Sequence, residues 1–145
     1  MTTNIVVGVN NQATALAACS RAMSLARMTD AQLHLVYAID KADTTAEATA
    51  RRHAEGLLES LKLSSAIPAT IHVIPNRPHE AILMVAHECK ADLIVIGNKG
   101  LTRWGRFTRA APAQVLRRAT CSVLVVDTAA DSGNSANTVP AQPFG

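Results

Sequence analysis

The sequence predicts an α/β domain: an open sheet of five parallel strands in the order 3-2-1-4-5, with helices on both faces. Three observations carry this. Five short apolar, β-rich runs alternate with four stretches whose apolar residues recur at helical spacing. The strand runs are apolar on both faces, as in a parallel sheet covered by helices on either side. The connections between them are long enough for the right-handed crossovers that parallel pairing requires.

The first strand is Ile5-Val6-Val7-Gly8-Val9, and Asn10-Asn11-Gln12 turns the chain. Leu16, Cys19, Met23 and Ala26 then recur at steps of three and four, which places them on the inner face of a helix over residues 13–28. Leu33-His34-Leu35-Val36-Tyr37-Ala38 is the second strand. Thr44 and Glu47 have the spacing of a capping box, opening a helix that turns Ala50, Ala54, Leu57, Leu58 and Leu61 inward. Pro68 ends that segment, and Thr70-Ile71-His72-Val73-Ile74 forms the third strand, stopped by Pro75. Pro78 suits the first turn of a third helix, whose buried face is Ile82, Val85, Ala86 and Cys89. Asp92-Leu93-Ile94-Val95-Ile96 is the fourth strand and runs into Gly97. A Gly-containing basic loop follows, then a last helix near Pro112 with Val115 and Leu116 inward. Ser122-Val123-Leu124-Val125-Val126 is the fifth strand.

The 145 residues form one domain over 1–128 and a tail over 129–145. The tail is Ala, Ser, Asn, Pro, Gly and Thr with few large apolar groups, so it cannot offset its ordering entropy and is expected to be disordered. Aromatics make up only 3% of the chain, so the core must be built from Ala, Val, Leu and Ile. Met1-Thr2-Thr3-Asn4 lacks the basic and apolar stretches of a secretory leader, and no apolar run reaches the ~20 residues of a membrane span. A cytoplasmic, membrane-free protein is expected. The cysteines Cys19, Cys89 and Cys121 are odd in number and widely spaced, which suits buried reduced thiols rather than a disulfide framework or a zinc site.

The strand order reverses between strands one and four. Ligands in such sheets bind beyond the carboxyl ends of the strands that flank the reversal. Those ends are Val9-Asn10 and Ile96-Gly97. The positive charge converges on the same place: residues 93–126 carry Lys99, Arg103, Arg106, Arg109, Arg117 and Arg118 and no acid. Glycines that let backbone amides approach, followed by a helix start, are what a phosphate site requires, and Gly97-x-x-Gly100 before Pro112 meets part of that need.

Other chemistries are excluded or weakly supported. There is no G-x-x-x-x-G-K-[ST] and no G-x-G-x-x-G after the first strand. The first strand ends in Asn10 and the third in Pro75-Asn76, so the acidic metal cluster of a receiver domain is missing. No serine sits in a G-x-S-x-G elbow. His79 and His87 are eight residues apart, and His34 and His72 lie mid-strand, so structural roles are expected for them. No nucleophile–base pair and no converging carboxylates are visible, so no catalytic residue and no metal ligand is assigned. Trp104 and Phe107 interleave with arginines, a pattern that can stack on single-stranded nucleic acid; packing is the favoured role for two aromatics in one loop.

Residues 91–101, Ala-Asp-Leu-Ile-Val-Ile-Gly-Asn-Lys-Gly-Leu, and residues 115–126, Val-Leu-Arg-Arg-Ala-Thr-Cys-Ser-Val-Leu-Val-Val, resemble the C-terminal half of universal stress proteins. The first strand, its helix and Leu33-His34-Leu35-Val36 resemble the N-terminal half. The resemblance implies the fold of the adenine nucleotide alpha hydrolase-like class and a homodimer in which the fifth strand, Ser122 to Val126, pairs with its twin. It also implies ATP or another adenine nucleotide, with magnesium, in one branch of the family; another branch does not bind ATP. The adenine would lie near Gly8, Val9, Asn10, Ala38 and Ile96, and the phosphates against Gly97, Asn98, Lys99, Gly100, Arg109, Ala110 and Ala111.

The chain departs from the ATP branch at its G-x2-G-x9-G-[ST] motif. Ala110-Ala111-Pro112 stands where Gly-Ser/Thr-Val is expected, and Asn10 replaces the Asp at the end of the first strand. The missing glycine removes a close backbone approach, the missing hydroxyl removes a hydrogen bond, and Pro112 removes a helix N-terminal amide. Two main readings stand: a stress-response regulatory module that binds an adenine nucleotide, and a nucleotide-free dimeric module that works through protein partners; a weak hydrolase acting on bound ATP is a minor third.

Overall fold

The computed structural model describes residues 3–10, 13–39, 44–98 and 111–127. The elements are β1 (Asn4–Gly8), α1 (Ala13–Thr29), β2 (Gln32–Ala38), α2 (Thr44–Ser65), β3 (Ala69–Ile74), α3 (Pro78–Cys89), β4 (Leu93–Asn98), α4 (Ala111–Arg118) and β5 (Ser122–Asp127). Every strand pair is parallel. The order across the sheet is β3-β2-β1-β4-β5, the one expected from the sequence and compatible with right-handed crossovers.

Alternate residues of the central strands feed two cores, one on each face. On the first face Val7, Leu33, Leu35 and Val95 pack under α1 and α2, with Ala18, Cys19, Ala22, Ala26 and Leu58. On the second face Val6, Val36, Ile94 and Ile96 meet α3 and α4 through Ala81, Ile82, Val85 and Val115. Both faces of β1 and β4 are thereby buried, which is why those strands read as continuous apolar runs.

Helix α1 corrects one expectation. Its buried stripe is Ala15, Ala18, Cys19, Ala22 and Ala26, whereas Leu16 is 37% exposed. Small side chains let the helix backbone lie close on the sheet, and the larger Leu16 and Met23 are left at the margin of that contact. Helix α4 differs in the same way: Val115 and Pro112 are buried, but Leu116 is 44% exposed. In α2, Ala54 and Leu58 are buried while Ala50, Leu57 and Leu61 are half-buried. Glu47 lies 3.9 Å from Arg51, one turn on. Arg51 also donates from Nη1 to the Val73 carbonyl at 3.2 Å, tying α2 to β3.

Helix α3 starts and stops on local chemistry. Arg77 is its extended N-cap and Pro78 occupies the first turn, where a missing amide costs no hydrogen bond. It ends at Lys90, whose left-handed backbone (φ 53°) lets its N–H reach the Ala86 and His87 carbonyls. All three cysteines are free; Cys19 is buried, while Cys89 and Cys121 are only half-buried. Burial pushes the Cys19 thiol up to about 11. No described helix is long and apolar enough to cross a membrane.

Candidate functional site

The ladder between β1 and β4 ends at Val7 opposite Val95. The ladders on either side continue, to Gly8 opposite Val36 and to Asn98 opposite Asp127. Beyond Val7 and Val95 the two central strands therefore part, and a cleft opens at the carboxyl edge of the sheet. The empty space there, including the part open to solvent, is about 530 Å3. Gly8, Val9 and Asn10 line it from the end of β1, Val36 and Ala38 from β2, and Ile96 and Gly97 from β4. Ala15 of α1 and Pro78 and Ile82 of α3 complete the described wall. Val9 donates its N–H to the Val36 carbonyl at 2.8 Å, which holds the strand end as the floor.

Gly8 is in close approach to the wall. A Cβ built there would stand 2.6 Å from Ile82 Cδ1 and 3.2 Å from Ile82 Cγ1. Glycine thus leaves Ile82 room to stand beside the strand instead of in the cleft. None of the described lining residues is charged or titratable, and most of the wall is aliphatic. Such a lining suits an uncharged, largely apolar group. Among the described residues no three His, Cys, Asp or Glu side chains are grouped to hold a metal ion.

Six of the residues assigned from sequence share this cleft: Gly8, Val9, Asn10, Ala38, Ile96 and Gly97. Asn98 is buried next in the chain to Gly97, and its Nδ2 has no hydrogen-bond partner among the described residues. Ala111 opens α4. Lys99, Gly100, Arg109 and Ala110, with Arg103 and Arg106, lie outside the described residues. Ser122, Val123, Leu124, Val125 and Val126 form the β5 edge, away from the cleft; Val123, Leu124 and Val125 are half-buried there. The sequence reading missed Ala15, Val36, Pro78 and Ile82. Pro78 and Ile82 are one helical turn apart at the start of the helix after β3, a spacing that could have placed both on this wall.

An open parallel sheet with a crevice at its reversal point is the architecture of a doubly wound α/β domain, whose ligands bind at that crevice. The model of the "Universal stress protein family" matches residues 1–127, and the chain belongs to that family. It is 32% identical over 140 residues to a putative universal stress protein of Staphylococcus aureus, covering 86% of this chain and 84% of that one. A universal stress protein of Mycobacterium tuberculosis is 48% identical over 56 residues; the match spans 38% of either chain. Among solved structures, a universal stress protein crystallised in complex with cAMP is 30% identical, with a TM-score of 0.72 over 88% of this chain and 98% of that one. A universal stress protein of Archaeoglobus fulgidus in complex with dAMP shares the fold at 19% identity and a TM-score of 0.67.

Proposed function

We propose that this protein is a regulatory module that binds an adenine nucleotide carrying a single phosphate, cyclic AMP or AMP, in the cleft between β1 and β4. The observation that carries the reading is the cleft itself: an uncharged, largely aliphatic slot at the reversal point, beside Gly97 and the basic segment that follows it. The purine lies against Gly8, Val9, Ala38 and Ile96, with Asn10 as its polar contact. The phosphate lies toward Gly97, Asn98 and the first residue of α4, Ala111; Lys99, Gly100, Arg109 and Ala110, assigned to it from the sequence, lie outside the described residues. The cAMP complex of the 30% identical relative supports this choice of ligand.

The residues at the start of α4 argue for one phosphate over three. Ala110-Ala111-Pro112 offers no hydroxyl, no glycine and one fewer amide. A triphosphate with magnesium therefore loses contacts that a single phosphate does not need. Calorimetric titration of nucleotide-free protein tests the reading. Cyclic AMP or AMP should bind with a Kd below ~100 µM, which is roughly −5.5 kcal/mol or better, and Mg-ATP should bind at least tenfold more weakly. Absence of heat with all three would refute it and favour a module that acts through protein partners alone.

The same reading has two copies pairing through β5. That strand is a sheet edge carrying half-buried Val123, Leu124 and Val125, and an apolar edge left open is an aggregation hazard. Three unpaired thiols suit work in the reducing cytoplasm.

A further inference from the structure

A chain of polar side chains crosses three strands of the sheet, from the start of β1 to the middle of β3. His34 of β2 places Nδ1 3.1 Å from Nε2 of His72 on β3. Its Nε2 lies 3.1 Å from Oδ1 of Asn4 on β1. The two rings are tilted by 30° with centroids 5.3 Å apart. His34 is buried and His72 half-buried. His34 is in register with Val6 and Thr70, and His72 with Val36, so both rings stand on the face covered by α3.

The proton positions follow from the acceptor at the end of the chain. The Asn4 oxygen only accepts, so His34 Nε2 carries a hydrogen. A neutral His34 then has Nδ1 as an acceptor, and His72 Nε2–H donates to it. A first proton can enter at His72 Nδ1 without breaking the chain. A second must enter at His34 Nδ1, where it destroys the bond and sets two cationic rings N–H against N–H. Such a pair takes up its protons in two coupled steps.

We propose that the Asn4–His34–His72 chain is an acid-operated latch on the β3 edge of the sheet, closed while His34 accepts from His72 and opened by the second proton. The outer strand β3 has β2 as its sheet neighbour. Arg51 ties α2 to β3, so the two loosen together while β1, β2 and β4 stay paired.

The electrostatics have the sign that this requires. Burial holds both rings below the ordinary histidine value of 6.5, and each charge opposes the other at His34. Glu88 of α3 favours the charged form of His72, and the Asp92 carboxylate, before β4, accepts from the Asn4 backbone N–H at 2.8 Å. Asn4 faces it from β1 and carries no charge. The unfolded chain therefore takes protons first as pH falls through about 6.5. The stability held by the pair is present above that pH and is lost below it.

Amide hydrogen exchange at pH 7.5 and 4.5, corrected for the intrinsic rate, tests the latch. The β3 amides should lose at least tenfold more protection on acidification than those of β4. In His72→Gln the excess loss should disappear, because a carboxamide can donate to His34 Nδ1 or accept from it and adds no charge. Equal losses in β3 and β4, or an unchanged excess in His72→Gln, would overturn the proposal. Should that variant not fold, the ring titrations of the unaltered protein decide. Two coupled steps, the second displaced to low pH, support the latch, and two independent titrations near 6.5 overturn it.

Discussion

Gly8→Ala is the substitution whose effect the structure works out most fully. The new methyl would meet Ile82 Cδ1 at 2.6 Å and Cγ1 at 3.2 Å, so the isoleucine must turn. The cleft, which it already lines, is open to it. Inserting one methyl into a packed site costs about 1–3 kcal/mol. Replacing glycine by alanine inside a strand returns about 0.5–1 kcal/mol. The net loss is then about 0–2.5 kcal/mol, a fall in Tm of up to roughly 10 °C for a domain of this size. Nucleotide affinity should fall further than stability, by tenfold or more, because the displaced Cδ1 occupies the purine slot. Ile82→Val deletes that carbon. Alone it should cost about 0.5–1.5 kcal/mol, and in the Gly8→Ala background it should restore most of both losses. Thermal melts and calorimetric titrations of the two single variants and the double variant form the assay. Unchanged affinity in a folded Gly8→Ala protein, or strictly additive effects in the double variant, would refute the reasoning.

Three further predictions concern packing, thiol chemistry and assembly. Leu58 is the large side chain that α2 buries fully, so Leu58→Ala should remove about 2–5 kcal/mol in urea denaturation; a loss below 1 kcal/mol would mean that α2 contributes little to the core. At pH 8 the buried Cys19, its thiol raised to about 11, should resist alkylation while half-buried Cys121 reacts; mass spectrometry showing equal labelling would contradict the packing of α1. Val125→Asp should convert a dimer to monomers in light scattering, and a persisting dimer would place the contact away from β5.

The sheet was legible in the sequence because its strands are short runs rich in Val, Ile and Leu that alternate with helical stretches, and right-handed crossovers leave few orders for them. The cleft was legible for a related reason: the reversal point depends on strand order alone, and Val9-Asn10 and Ile96-Gly97 mark it directly. Its far wall was not, because Ile82 looks like any other core residue of α3 until the helix is placed over Gly8. The buried face of α1 was misjudged by following the large residues. Ala15, Ala18 and Ala22 give little contrast in a chain so rich in alanine, yet their size is what brings the helix onto the sheet. The contact between His34 and His72 depends on the β2–β3 register, which sets Leu33 opposite Ala69 and no residue type announces. Asn4, the third member, stands 30 positions from His34 in sequence.

The central claim is that the nucleotide enters between β1 and β4. Amide chemical shifts of isotopically labelled protein, followed as cyclic AMP is added to saturation, test it most directly. The account predicts the largest changes at Gly8, Val9, Asn10, Ala38, Ile96 and Gly97, with little change at the amino end of the sheet around Asn4 and Asp92. Saturable changes confined to β5, to that amino end, or to any surface that leaves Gly8 and Gly97 untouched would contradict it.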